Sequence, residues 1–91
     1  MSDAIEYLVF AGTAFTSDLP HTLKVHRNNA QGLTFLQLKL MRQDNILSCP
    51  INAPESLALL AHVAKARNTD VAGLLRSMGA NSETIRIVTG S

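Results

Sequence analysis

Between residues 22 and 27 the chain alternates cleanly. Leu23 and Val25 point one way and Thr22, Lys24 and His26 the other, and a period of two with one polar face predicts a half-buried strand. Upstream, Ile5, Tyr7, Leu8, Val9 and Phe10 supply the β-branched and aromatic content of a strand near 5–10. Ala11-Gly12-Thr13-Ala14 is weak in either propensity, and Ser17-Asp18-Leu19-Pro20 reads as a turn. Asn28-Asn29-Ala30-Gln31-Gly32 is a loop whose Asn and Gly residues tolerate the positive φ of a tight reversal. Over 33–41, Thr34, Leu36, Leu38 and Leu40 share one face, and Leu33, Phe35, Gln37, Lys39 and Met41 the other. A helix is the rival reading, because Leu and Gln form helices well. Strand is preferred, since no cap opens the segment and it follows a hairpin-like loop. After the polar loop Arg42-Gln43-Asp44-Asn45, a short strand is expected at 46–51. Leu47, Cys49 and Ile51 share one of its faces, and Pro50 gives it an edge position or an end.

The period then changes. Asn52 is a suitable N-cap, Glu55 could close a capping box with it, and Pro54 suits a first helical turn. Leu57, Leu60, Ala61 and Ala64, widened by Leu59 and Val63, form the apolar face of a helix over 53–67. Lys65 and Arg67 suit its C-terminal end, and Asn68 can adopt the left-handed conformation that stops it. Thr69 or Asp70 caps a second helix over 70–78, with Leu74, Leu75 and Met78 inward and Gly79 as its stop. Gly73 is read as allowing close approach of another helix. Residues 83–89 alternate again and predict a closing strand. The expected fold is one α+β domain over 1–91. Its small antiparallel sheet has strands near 5–10, 22–27, 33–41, 46–51 and 83–89, with the helix pair on one face.

Composition narrows the function. The chain has 91 residues, 46% of them hydrophobic, which suits one core and excludes a disordered chain. A formal charge of +1 gives no bulk pull towards nucleic acid or anionic membrane, so such binding would need a local patch. One cysteine cannot staple the fold internally. No apolar run reaches the roughly 18–20 residues of a membrane span, so no membrane association is expected. The apolar stretch over 5–15 could imitate a secretion signal, but Asp3 and Glu6 stand where cations would be needed. A cytoplasmic chain with a reduced Cys49 is the expectation.

The catalytic inventory is thin. Asp18, Asp44, Glu55 and Asp70 sit at expected turns and caps, and the glycines are scattered singly rather than gathered into a phosphate loop. A dyad of Cys49 with a histidine is the sharpest enzymatic idea, but Cys49 shares the apolar face of Leu47 and Ile51. His21, His26, His62 and Cys49 offer zinc-compatible donors, yet His21 and His26 point to opposite faces. No catalytic, cofactor-binding or metal-binding residue is assigned, and a non-enzyme without a cofactor is expected. Lys24, His26, Arg27, Lys39 and Arg42 cluster on or beside the middle strands. They are the candidate surface for a partner or nucleic acid, against the alternative of a solvated face whose lysines protect an edge.

Residues 47–78 resemble the ribbon-helix-helix repressors. A short strand leads into a helix with Leu57, Leu60, Val63 and Ala64, and Asn68, Thr69 and Asp70 lead into a second helix with Leu74 and Leu75. Ala64 falls where that family often holds a small residue, Asn68 where it holds a helix-ending Gly, and Asp70 where it caps the second helix. The resemblance implies a dimer whose paired strands enter the DNA major groove, with Leu47, Cys49 and Ile51 inward and Ser48, Pro50 and Asn52 towards DNA. The chain departs from the family in having no Arg or Lys among those three and one extra residue between strand and helix.

Two functions are therefore expected. The first is a small non-enzymatic protein that regulates or inhibits a macromolecular partner, most simply another protein, through a surface contact. Inhibitors and adaptors of phages and other mobile elements have this make-up. The alternative is a dimeric DNA-binding transcriptional regulator of the ribbon-helix-helix kind. Homodimerisation suits both, through the Pro50 edge strand or Gly73.

Overall fold

The computed structural model describes residues 5–19 and 21–90. Asp3, and Pro20 of the turn expected at 17–20, lie outside these. Among the described residues the chain forms five strands followed by three helices, an α+β arrangement. The strands make two small antiparallel sheets rather than one.

The first sheet is a hairpin of β1 (Tyr7–Phe10) and β2 (Thr13–Thr16). The weak segment after Phe10 is its turn. Ala11 (φ 52°) and Gly12 (φ 75°) both take positive φ, as a two-residue hairpin turn requires, so Phe10 stands opposite Thr13 and Tyr7 opposite Thr16. Pleating sorts β1 sharply: Phe10 is fully buried, whereas Tyr7 is 80% exposed.

The second sheet is a meander of β3 (His21–Asn28), β4 (Leu33–Leu40) and β5 (Ile46–Pro50), with β4 central. Residues 33–40 are thus a strand, and the helical alternative falls. The inner face presents Leu36, Leu38 and Leu40 of β4 with Cys49 of β5, all buried, beside half-buried Leu23, Val25 and Leu47. Pro50 ends an edge strand, where its missing N–H is tolerated.

Helix α1 (Pro54–Ala66) buries Ser56, Leu59, Leu60, Val63 and Ala64. The buried stripe is rotated from the expected one, for Leu57 and Ala61 are exposed. Ala53, not Asn52, occupies the N-cap, without a side-chain bond. The expected capping box does not form, because Glu55 reaches outward to the hairpin. The chain leaves α1 through Asn68 (φ 56°), and Asp70 caps α2 (Val71–Ser77) by accepting the Gly73 N–H at 2.7 Å.

Gly73 does not serve the approach of another helix. A Cβ there would lie 2.6 Å from Thr69 Oγ1 and 3.0 Å from Asp70 Oδ1, so the glycine makes room for the residues folded over the start of its own helix.

Residues 83–89 form no strand. They lie in a third helix, α3 (Ser82–Thr89), capped by Asn81, which accepts the Thr84 N–H at 2.8 Å, and ended by Gly90 in the left-handed conformation. Thr84, Ile85 and Val88 turn inward at helical spacing, leaving Arg86 and Ile87 outside. Burial of that face outweighs the β-preference of its Thr, Ile and Val residues. Phe10 and Phe15 of the hairpin join residues of β4, β5, α1 and α2 in one buried cluster.

Candidate functional site

The core lies on one side of the three-stranded sheet, and the other side is open. Register places its residues in rows across β3, β4 and β5: Thr22–Lys39–Ile46, then Lys24–Gln37–Ser48, then His26–Phe35–Pro50, closed by Asn28 opposite Leu33. Thr22, Lys24, His26, Lys39, Ile46, Ser48 and Pro50 are exposed, and Gln37 and Phe35 half-buried. None of the seven acidic residues lies on these strands. Among the described residues, neither Lys24 nor Lys39 is in an ion pair.

Three of the five candidate surface residues, Lys24, His26 and Lys39, thus share this face. Arg27 does not. Three positions beyond Lys24 it points to the opposite side, where Nη1 stands 4.0 Å from Glu83 Oε2 of α3, both groups well exposed. Arg42 lies in the β4–β5 loop, beside a shallow depression lined by Asp18, Leu19, Leu40, Met41 and Gln43. Phe35 and Gln37, which are not among the five candidates, also belong to the face. Alternation had put them beside Lys39, but only the β3–β4 register sets Phe35 against His26 and Gln37 against Lys24.

Cys49 and the other two histidines lie away from this face. The Cys49 Sγ–H donates to Glu55 Oε1 at 3.8 Å, and the same oxygen accepts the Gly12 N–H at 3.3 Å. Burial pushes the Cys49 thiol up, a backbone hydrogen bond at Ala11 works against it, and the Glu55 carboxylate pushes it further up. A thiol so placed is the opposite of an activated nucleophile. His62 Nδ1 lies 3.5 Å from Glu6 Oε2. His21 Nδ1 lies 3.0 Å from the Leu19 carbonyl, and the His21 ring is tilted against Phe15 at a centroid separation of 6.4 Å. His21 and His26 do point to opposite faces of β3. Among the described residues no group of three or more His, Cys, Asp or Glu side chains is placed to hold a metal ion, and no helix is long and apolar enough to cross a membrane.

Within the resembling segment, β5 pairs along one edge with β4, and Ser48 and Pro50 face outward. No family model, curated protein or solved structure matches this chain.

Proposed function

We propose that this chain is a non-enzymatic binding protein that regulates or inhibits a macromolecular partner, and that the contact is made by the open face of the three-stranded sheet. The observation that carries this reading is the charge of that face: Lys24 and Lys39 stand on it, beside His26, with no carboxylate among them. A sheet face that merely meets water ordinarily mixes both signs of charge. A face bearing one sign is complementary to an anionic partner.

The test is retention on a polyanion. The purified protein, passed over immobilised heparin at low salt, is expected to bind and to elute as salt rises. Lys24→Glu combined with Lys39→Glu should abolish retention, and Arg76→Glu on α2 should leave it unchanged. Passage of the wild type in the void volume, or equal retention of the double variant, overturns the reading.

A second reading, the dimeric regulator of duplex DNA, is favoured by one observation. The β5 edge that does not face β4 is unpaired among the described residues, and β5 is followed directly by α1 and α2. Salt-sensitive retention of a dimer on duplex DNA would decide for it.

A further inference from the structure

Phe35 is the feature of the open face that solvent exposure alone does not account for. It stands on the central strand, on the side away from the core, with His26 on one flank and Pro50 on the other. Such positions in a one-sided antiparallel sheet are ordinarily polar. An imidazole, a phenyl ring and a pyrrolidine instead stand in register, in a row about two strand spacings, or ~10 Å, across. Around it on the same face stand Leu33 and Gln37 on β4, Asn28 and Lys24 on β3 and Ser48 on β5, with Thr22, Lys39 and Ile46 one row further on. Lys24 is opposite Gln37 and Lys39 opposite Thr22, so the two are diagonal neighbours on adjacent strands, about 7–8 Å apart.

Resting on the proposed function above, we infer that the anionic partner is a single-stranded nucleic acid. Phe35 is the stacking surface for an unpaired base, and Lys24 and Lys39, in the two successive rows on one side of it, meet the phosphates of the strand leading away from that base. An aromatic ring beside cations is the combination that binds single strands, because every base offers a π-face and every linkage a charge. Duplex fits poorly. Its bases are stacked on one another and give Phe35 nothing to cover, and the major groove admits a helix or a two-stranded ribbon rather than the broad face of three strands.

The experiment measures fluorescence anisotropy of 5′-labelled dT12, rU12 and a 12-base-pair duplex, titrated with the full chain. Either single strand should bind more tightly than the duplex. With two phosphates neutralised at a slope near 0.7 each, affinity should fall only about sevenfold between 50 and 200 mM salt. Phe35→Leu keeps the apolar bulk but removes the π-face. It should weaken binding about 5- to 100-fold with an unchanged melting temperature, and Phe35→Tyr should restore it. Equal affinity for dT12 and rU12 supports backbone-and-stacking recognition of either source. A preference for rU12 assigns the ligand to RNA through its 2′-hydroxyls, and one for dT12 to DNA. The inference is overturned by duplex binding as tight as single-strand binding, or by indifference to Phe35→Leu. Retention on heparin without oligonucleotide binding overturns it while leaving the anionic-partner reading intact. In that case an acidic polyglutamate peptide that binds equally to wild type and Phe35→Leu points to a protein surface. Binding to neither heparin nor oligonucleotide overturns both.

Discussion

The carboxylate of Glu55, in the first turn of α1, accepts the backbone N–H of Gly12 at 3.3 Å across 43 residues of sequence. One side chain therefore joins the hairpin turn to the start of the main helix. The contact is exposed, so its net worth is that of an ordinary hydrogen bond, about 1 kcal/mol. Glu55→Ala is expected to lower the free energy of unfolding by that amount, read as a lower urea midpoint, and to speed amide exchange at Gly12. Glu55→Gln keeps an acceptor oxygen and should lose less. Equal midpoints for all three proteins would show that the tether carries no stability.

The same carboxylate sets the behaviour of Cys49. The folded-state pKa of the thiol is raised by burial and, secondarily, by Glu55. Folding therefore holds this proton more tightly than the unfolded chain does. The resulting stability is complete below the ordinary thiol pKa and is lost as pH rises through the raised one. Cys49→Ala should flatten the alkaline decline seen in denaturation at successive pH values. Thiol-reactive dyes should label native Cys49 slowly near neutrality, and Glu55→Gln should speed labelling.

At Gly73 two effects oppose each other. An alanine there gains about 1 kcal/mol of helix propensity but places a methyl against Thr69 Oγ1 and the capping Asp70 carboxylate. Gly73→Ala alone is expected to be neutral or destabilising. In a Thr69→Ala background the closest clash is gone, so the same change should stabilise relative to that background. A thermal-melt double-mutant cycle measures the coupling.

Helix α3 depends on its ends. Asn81→Ala removes the oxygen that accepts the Thr84 N–H and should cost about 1 kcal/mol. The loss is expected first as falling protection of the α3 amides in hydrogen exchange, before the sheet is affected. Simultaneous loss across β4 and α3 would mean that the two open as one unit.

Much of this architecture was legible in the residues. Alternation located β3 and β4, and capping residues located α2. What alternation could not supply was register, and so the juxtaposition of Phe35 with His26 stayed hidden. Arg27 was grouped with Lys24 although their separation of three already put them on opposite faces of a strand. α3 was misread because β-branched residues fill it, while the decisive signals were Asn81 before it and Gly90 after it. The return strand β2 escaped notice because Ala11, a residue seldom found at positive φ, occupies half of its turn. Glu55 looked like a helix-capping residue because sequence places it only relative to its neighbours, and its actual partner is remote.

The long reach of that contact has a consequence during synthesis. β1 and β2 are made before the other elements described here, yet a lone hairpin is at best marginally stable in water. Phe10 and Phe15 complete their surroundings only with Leu59, Leu60 and later residues, and Gly12 meets its acceptor 43 residues on. At about 5–20 residues per second, the ribosome needs roughly 2–9 s to cover that interval. The hairpin thus emerges ahead of the elements it packs on and is among the last to settle. Throughout that wait its two phenylalanine rings have no interior to enter, and a nascent-chain chaperone would meet them first.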